Sequence, residues 1–185
     1  RSSMLNPEPR RVVWMMLPAG TVTDNIFKEV LGMLKEGDVI IDGGNSNFQE
    51  TMRHHELALE KGVRMMDVGV SGGVVAAQRG YAMMVGGDKE TYEFVEPVIE
   101  MMCAPDAFAL VGEEGGSGHY VKMIHNAVEY GMMQAIAEGF DLLKHGRFSQ
   151  LDTTKISQLW NHGTIVQSFL MEMVANALEK DGNLD

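Results

Sequence analysis

The 185-residue chain carries 15 lysine and arginine residues against 26 aspartate and glutamate residues, which gives a formal net charge of −11, and 45% of its residues are hydrophobic. This composition excludes a disordered chain and a disulfide scaffold, because such chains lack the apolar material for a core or replace the core with cross-links. The acidic balance, without any long cluster of basic residues, argues against a nucleic acid or an anionic membrane surface as the main partner.

The single cysteine, Cys103, cannot form a disulfide within the chain, and its apolar neighbours predict a packing role. The 16 methionines predict adaptable core packing and no metal site, because histidine and cysteine do not accompany them at the spacing of metal ligands. No apolar run reaches the ~18 residues that a membrane-spanning helix requires, and the first residues lack the apolar segment of a signal peptide. We therefore expect a cytoplasmic protein.

The first 112 residues alternate apolar runs with helical patterns. Residues 12–17 form a continuous apolar run that ends at Pro18, as expected for a strand buried on both faces. Further strands are predicted at residues 38–44, 64–70, 81–87 and 107–112. Helices are predicted between them, from a cap at Thr23, Asp24 and Asn25 to Gly37, over residues 48–61 and over residues 89–101. The alternation predicts an α/β fold with a partial Rossmann-like, doubly wound and mostly parallel sheet.

The composition changes after Gly112. Residues 113–118 are rich in glycine and predict a flexible hinge, and the two long helical patterns beyond it, at residues 119–145 and 153–179, are followed by no strand. We predict two domains: residues 1–112, part of the Rossmann-like domain, and residues 113–185, the beginning of an all-α domain.

The first of these helices places four polar groups on one face. At about 100° per residue, Lys122, His125, Asn126 and Glu129 project in similar directions. An amine and a carboxylate two turns apart can act as base and acid on one small substrate, provided that burial or neighbouring charges move their pKa values toward neutrality. The alternative is an ordinary solvated helix face. The adjoining hinge between two domains, where clefts form, favours the functional interpretation.

Glycine pairs follow two of the predicted strands. They lie in Asp42-Gly43-Gly44-Asn45-Ser46 and in Val70-Ser71-Gly72-Gly73, and open α/β sheets bind ligands outside the carboxyl ends of their strands. Glycine there lets backbone N–H groups approach anionic oxygens, although a tight turn also requires glycine for steric reasons. No Gly-x-Gly-x-x-Gly opens the chain, so either this is not a dinucleotide domain or its first half lies outside the sequence.

These two turns, together with GHYVKMIHNAVEYG at residues 118–131, resemble decarboxylating 6-phosphogluconate dehydrogenases, in particular their shorter bacterial form. The resemblance runs from about Val12 to the end of the chain. Related β-hydroxyacid dehydrogenases share the Ser-Gly-Gly turn and the lysine, but they typically continue as Lys-x-x-Asn-Asn, whereas this chain reads Lys122-x-x-His125-Asn126. The resemblance assigns residues 1–112 to the NAD(P)-binding domain and residues 113–185 to the C-terminal domain of that family.

The resemblance implies oxidation of the C3 hydroxyl of 6-phosphogluconate by NADP or NAD, followed by loss of CO₂ to give ribulose 5-phosphate, a reaction of the pentose phosphate pathway. Lys122 would accept the hydroxyl proton and polarise the ketone, and Glu129 would protonate the enediol carbon. The implied substrate contacts are Asn45, Ser71, Gly72, Gly73, His125, Asn126 and Tyr130. The implied cofactor contacts are Leu17, Pro18, Ala19 and Asn45. No metal is required, because an ammonium beside the ketone stabilises the developing charge.

The sequence departs from the family pattern at three places. We expect a fragment that lacks the N-terminal Gly-rich half of the Rossmann domain and the C-terminal end, which leaves the activity of the isolated chain open. Gln167 stands where the family usually has an arginine that holds the substrate phosphate, and an amide lacks that charge and bidentate fit. Two alternatives therefore stay open: a β-hydroxyacid dehydrogenase with a non-phosphorylated substrate, and a non-catalytic fragment.

The resemblance and the apolar helices also predict a homodimer or homotetramer for the complete protein. A helical domain this small cannot bury two mostly apolar helices by itself. The residues predicted at the subunit interface are Trp160, Ile165, Val166, Phe169, Leu170, Met173 and Val174.

Overall fold

Over residues 9–182, which the computed structural model describes, the chain forms five strands and seven helices. In chain order these are β1 (Val12–Met15), α1 (Thr21–Met33), β2 (Val39–Asp42), α2 (Phe48–Glu60), β3 (Arg64–Ser71), α3 (Ala76–Arg79), β4 (Tyr81–Gly86), α4 (Lys89–Met102), β5 (Cys103–Gly112), α5 (Ser117–His145), α6 (Thr153–Trp160) and α7 (Phe169–Lys180).

The five strands form one sheet in the order β1-β2-β3-β4-β5. The pairs β1/β2, β2/β3 and β4/β5 are parallel, and β3/β4 is antiparallel, so the last two strands run opposite to the first three. Val12 pairs with Val39, and Val39 in turn pairs with Arg64, so the first three strands are in close register. The predicted α/β fold with a mostly parallel sheet is confirmed.

Both faces of the sheet are covered by helices, as the doubly wound fold requires. Adjacent strand residues point to opposite faces, so Ile40 and Ile41 belong to different cores. The core beneath α1 and α2 contains Met15, Phe27, Leu34, Ile40, Ala58, Val63 and Met65. The core beneath α4 contains Val39, Ile41, Met66, Val68, Met83, Val85, Tyr92, Val95 and Ile99.

The chain divides into two compact units, the first ending at Ile124 and the second beginning at His125. In the second unit, α6 and α7 pack together around the buried residues Ser157, Met171 and Leu178. The hydroxyl of Thr154 donates a hydrogen bond of 3.2 Å to the carbonyl of Leu178. The predicted domain boundary between residues 112 and 113 stays a prediction.

The prediction of one helix over residues 153–179 is wrong. Helix α6 ends at Trp160, and Gly163 adopts a φ of +78°, which is outside the helical region. Ser168 then starts α7, because its extended backbone and its hydroxyl, which accepts the N–H of Met171 at 3.1 Å, form an N-cap. A helical apolar spacing continued across this break, so periodicity alone did not reveal it.

The predicted cap of the first helix is also wrong. Helix α1 starts at Thr21, and Gly20 stands at the capping position without a side-chain hydrogen bond. Thr23 lies inside the helix, and its hydroxyl instead donates a 2.8 Å hydrogen bond to the carbonyl of Pro18. The threonine therefore fixes the loop after β1 and does not start the helix.

Two predictions from composition concern single features. Cys103 is half-buried, and burial raises the pKa of its thiol, which agrees with a packing role. Within the described residues, no helix is both long enough and apolar enough to cross a membrane.

Phe27 provides the first test of this fold. This residue of α1 is fully buried, and its ring stacks on the ring of His54 with 4.1 Å between the centroids. We expect Phe27→Ala to lower the free energy of unfolding by about 3–5 kcal/mol, because it opens a cavity in the core. Val22→Ala, in the same helix but at an exposed position, should change it by less than about 0.5 kcal/mol in the same urea titration. Equal losses in the two variants would contradict the assignment of the core.

Candidate active site

The loops that follow β1 and β2 lie side by side at the carboxyl edge of the sheet. A Cβ atom on Gly44 would lie 2.7 Å from the carbonyl oxygen of Leu17, so only glycine lets the two loops approach this closely. Pro18, Ala19 and Asn45 are exposed, and Leu17 is half-buried. The structure thus brings together the residues that the resemblance assigns to the cofactor.

Asp42 shapes the second of these loops. Its side chain is fully buried, and the carboxylate accepts hydrogen bonds from the N–H of Gly44 at 3.0 Å and the hydroxyl of Ser46 at 2.8 Å. A short polar side chain that bonds to the backbone two residues on holds a turn in place. This carboxylate therefore has a structural task, and Asn45 is the exposed polar group of the turn.

The Ser-Gly-Gly turn begins with Ser71, the last residue of β3. Ser71 is half-buried, and Gly72 and Gly73 have φ values of +120° and +59°, in the region that favours glycine. A Cβ atom on Gly72 would also lie 2.7 Å from the Cβ of Ala76. Both glycines are thus required by the turn itself, independently of any ligand.

A buried carboxylate binds the backbone N–H groups at the start of helix α5. Asp67, in the middle of β3, is fully buried and accepts the N–H of Gly116 on Oδ1 and the N–H of His119 on Oδ2, both at 2.8 Å. The first N–H groups of a helix have no partner within the helix, and the helix dipole favours a negative charge there. Sequence reasoning missed Asp67, although a charged residue inside the apolar run of residues 64–70 was the available signal.

His55 of α2 contacts the same carboxylate. Its Nε2 lies 3.1 Å from Oδ1 of Asp67. Burial raises the pKa of Asp67, but the hydrogen bond from His55, the nearby imidazole of His119 and the His119 N–H outweigh it, so that the pKa lies below its usual range. Asp67 is therefore ionised at neutral pH.

His119 is the buried imidazole beside this carboxylate. Its Nδ1 lies 2.8 Å from the hydroxyl of Thr51, which also lies 3.1 Å from the carbonyl oxygen of Asn47. The imidazole and the hydroxyl share a hydrogen bond whose donor depends on the tautomer of His119. Its Nε2 is buried and has no hydrogen-bond partner among residues 9–182.

Lys122 lies directly over β3. A Cβ atom on Gly69 would overlap the Cβ of Lys122 and would lie 3.0 Å from the carbonyl oxygen of Gly118. A Cβ atom on Gly118 would in turn lie 2.6 Å from the carbonyl oxygen of Asp67. Gly118, one of the glycines predicted to form a flexible hinge, is thus required by the close packing of the helix on the sheet. Ser71 is the next residue after Gly69 on the same face of β3.

The remaining predicted site residues follow on α5. His125, Asn126 and Glu129 are half-buried, whereas Tyr130 is 70% exposed. His125 Nδ1 lies 3.3 Å from the amide oxygen of Asn126 and 3.7 Å from Oε2 of Glu129. The contacts agree with the predicted polar face of this helix, and the assigned roles of these residues stay predictions.

One cluster outside this region has the donor types of a metal site. Ligand atoms of Asp24, Glu50 and His54 lie within 4.8 Å of one another. The guanidinium of Arg53 already bonds to all three side chains, at 2.9 Å from Glu50 and 3.3 Å from His54 and by a short contact to Asp24. The pKa of Asp24 lies well below its usual range, mainly because of the Lys28 ammonium and, to a smaller extent, because of the hydrogen bonds from His54 and Arg53. The cluster is therefore an ion-pair network with its cation in place.

Comparison with known proteins identifies the family. Residues 3–112 match the NAD binding domain of 6-phosphogluconate dehydrogenase, and residues 118–185 match the 6-phosphogluconate dehydrogenase C-terminal domain. The first match alone covers more than half of the chain. The chain belongs to the 6-phosphogluconate dehydrogenase family.

Three similar proteins illustrate the relationship. The NAD(+)-dependent, decarboxylating 6-phosphogluconate dehydrogenase of Haloferax volcanii is 40% identical over 172 residues, which cover 92% of this chain and 56% of that protein. The 6-phosphogluconate dehydrogenase of Plasmodium falciparum was solved in its apo form, with NADP+ and with 6-phosphogluconate. Its structure matches with a TM-score of 0.84 at 36% sequence identity, and the match covers 94% of this chain and 38% of the Plasmodium chain. A 3-hydroxyisobutyrate dehydrogenase of Mycobacterium tuberculosis matches with a TM-score of 0.76 at 28% sequence identity. This match covers 89% of this chain and 54% of the Mycobacterium chain. The chain thus spans little more than half of the first protein and less than half of the second.

The contact between Gly69 and Lys122 yields the second prediction. We expect Gly69→Ala to lower the free energy of unfolding by about 1–3 kcal/mol, because the added methyl group overlaps Lys122 in a packed contact. Gly139→Ala is the matched control, since Gly139 lies inside α5 with no neighbouring atom within 4 Å. It should raise the free energy by about 0.5–1 kcal/mol through helix propensity. Equal stabilities of Gly69→Ala and the unaltered protein would show that α5 does not rest on β3 as described.

Proposed function

We propose that this chain is the catalytic part of an NAD(P)-dependent dehydrogenase that oxidises 6-phosphogluconate at C3 and releases CO₂ to form ribulose 5-phosphate. The observation that carries the proposal is the position of Lys122, whose stem rests against Gly69, two residues before Ser71. An amine at the carboxyl end of a strand, next to a glycine turn, is suited to a substrate hydroxyl. The family membership supports the same reaction class.

The residues at the edge of β1 and β2 fit a nicotinamide dinucleotide. Pro18, Ala19 and Asn45 are exposed there, Leu17 is half-buried beside them, and the close approach of Gly44 to Leu17 joins the two loops into one surface. Ligands of open α/β sheets bind at this edge. When bound, the nicotinamide ring supplies the acceptor for the hydride that leaves C3. The Plasmodium falciparum relative was solved in complex with NADP+, which supports a nicotinamide dinucleotide as the cofactor.

Lys122 acts as the general base in the proposed reaction. Neutral Nζ takes the proton of the C3 hydroxyl as that carbon is oxidised, and the resulting ammonium then polarises the ketone. The positive charge next to the ketone oxygen stabilises the enolate-like charge that develops when CO₂ leaves. Ser71, Gly72 and Gly73 are proposed to hold the carboxylate end of the substrate, because glycines at the carboxyl end of a strand let an anionic group approach the backbone closely.

Glu129 acts as the general acid. It lies two helical turns beyond Lys122 on α5, and the proposal assigns it the proton that the enediol carbon receives after decarboxylation. His125 lies 3.7 Å from its carboxylate and can orient it, while Asn126 and Tyr130 contribute polar atoms toward the substrate hydroxyls. Asn45 is proposed to contact substrate and cofactor alike.

The reaction is tested by the absorbance of NAD(P)H at 340 nm, with the full-length product of the gene, 6-phosphogluconate and either NAD or NADP. We expect reduction of the nicotinamide together with release of CO₂. Lys122→Met should lower kcat by at least about 100-fold with little change in KM, because it removes the base and keeps the length of the stem.

Lys89→Met is the matched control, because it removes an exposed lysine of α4 whose ammonium lies 3.7 Å from the carboxylate of Glu93. It should leave kcat unchanged. Full activity of the Lys122→Met variant would eliminate the proposed base, and absence of any nicotinamide reduction in the unaltered protein would eliminate the reaction.

A second candidate substrate is a β-hydroxy acid without a phosphate. Gln167 favours it, because this exposed side chain is uncharged and its amide oxygen accepts the N–H of Gly163 at 2.9 Å. The similarity to 3-hydroxyisobutyrate dehydrogenase shows that the same fold occurs in an enzyme named for such an acid. Under this alternative, Lys122 keeps its role and 6-phosphogluconate is a poor substrate.

Gln167→Arg distinguishes the two substrates. If 6-phosphogluconate is bound near this residue, an arginine should lower its KM by about 10-fold, because a guanidinium pairs with a phosphate through two charged hydrogen bonds. Gln150→Arg, at another exposed position, controls for added charge. The KM of a non-phosphorylated acid should not change in either variant. Equal KM values for 6-phosphogluconate in the two variants would show that residue 167 does not contact the substrate phosphate.

A further inference from the structure

We propose that Asp67 is a positioning residue for Lys122: its buried carboxylate fixes the first turn of α5 and thereby sets the place of the lysine over β3. The link to turnover rests on the proposed function. The anchoring itself is independent of that function and is tested separately.

The first support is the number of elements that meet at this carboxylate. Oδ1 accepts the N–H of Gly116 at 2.8 Å and lies 3.1 Å from Nε2 of His55, while Oδ2 accepts the N–H of His119 at 2.8 Å. Strand β3, helix α2 and the start of α5 are thus joined at one buried side chain. The N–H groups in the first turn of a helix have no partner within the helix. Here the ionised carboxylate of Asp67, a residue of the sheet, accepts two N–H groups at the start of α5.

The second support is the short distance along the chain from the anchor to the lysine. His119 precedes Lys122 by three residues, which is less than one helical turn. Asp67 precedes Gly69 by two residues, so both lie on the same face of β3. One short piece of strand therefore bonds to the start of the helix and also carries the backbone on which Lys122 rests.

The third support is the direct contact between the backbone of the helix and the backbone of the sheet. A Cβ atom on Gly86 would lie 2.5 Å from the backbone nitrogen of Gly118 and 2.7 Å from Oδ1 of Asp67. A Cβ atom on Gly118 would lie 2.5 Å from the carbonyl oxygen of Met84. Because backbone atoms of the helix and of the sheet are in close contact at these glycines, a change in the anchor moves the helix and the lysine together.

The chemistry requires a carboxylate at this position. An asparagine would offer one oxygen and would direct its N–H₂ group at a backbone N–H, so that one donor of the helix would lose its partner. Asp67→Asn is therefore a small change in volume and a large change in hydrogen bonding.

Asp38→Asn is the matched control. Asp38 is also buried, and its carboxylate accepts the backbone N–H groups of Arg11 and Lys35 at 3.0 and 2.8 Å, as well as the Arg11 guanidinium. It lies before β2, and the hydrogen bonds of its carboxylate within residues 9–182 go to Arg11 and Lys35, away from α5. Both substitutions thus replace a buried carboxylate that accepts two backbone N–H groups, but only one of them anchors the helix.

The experiment compares the two variants in the full-length product of the gene by three readouts. Hydrogen exchange followed by mass spectrometry reports on the amides of residues 116–124, acetic anhydride labelling reports on the amine of Lys122, and steady-state kinetics report kcat and KM. We expect Asp67→Asn to raise both the exchange rate and the labelling rate at these positions by about 10-fold or more. We expect kcat to fall by about 10- to 100-fold with KM within about threefold, since a misplacement of about 1 Å has effects of this size.

Asp38→Asn should leave all three values near those of the unaltered protein. His55→Ala keeps the carboxylate and removes one of its partners, so it serves if Asp67→Asn does not fold, and it should change the same readouts in the same direction by a smaller factor. Exchange and labelling equal to those of Asp38→Asn in both variants would overturn the anchor. If the unaltered protein reduces no nicotinamide, the proposed function fails, while exchange and labelling still decide whether Asp67 positions Lys122.

Discussion

The hydrogen bonds between the buried carboxylate of Asp67 and the first turn of α5 are the constraint on which the candidate site depends. An ionised side chain in the middle of a sheet is costly unless donors surround it, and here the donors are N–H groups of Gly116 and His119 together with the imidazole of His55. Satisfying this charge requires the helix to approach the sheet closely. The glycines at positions 69 and 118 permit that approach, and it brings Lys122 onto the strand that ends at Ser71.

The same arrangement explains why two kinds of substrate are compatible with one fold. The lysine and the glycine turn lie where a hydroxyl and a carboxylate group can be bound, and β-hydroxy acids have both groups whether or not they carry a phosphate. Discrimination must therefore come from residues that meet the far end of the substrate. The proposed function gives this task to Gln167, whose amide oxygen accepts the backbone N–H of Gly163.

Much of the fold could be predicted because its signals are local. Continuous apolar runs such as residues 64–70 identify strands buried on two faces, and β3 was found in nearly the predicted place. The break between α6 and α7 was missed because the apolar spacing continues across it, and only the conformation of Gly163 and the cap at Ser168 end the helix. Asp67 was missed for a different reason: its backbone partners, Gly116 and His119, lie 49 and 52 residues away in the chain, and no local pattern reveals them.

The central claim is that the Lys122 and Glu129 chemistry combines oxidation with decarboxylation, and the most direct measurement is the stoichiometry of its products. 6-Phosphogluconate labelled with ¹³C at the carboxylate would be supplied to the full-length product of the gene, and labelled CO₂ and NAD(P)H would be quantified in the same reaction. The account predicts equal amounts of both at every time point. NAD(P)H that accumulates without labelled CO₂ would contradict it, since it would show a dehydrogenase that stops at the keto acid.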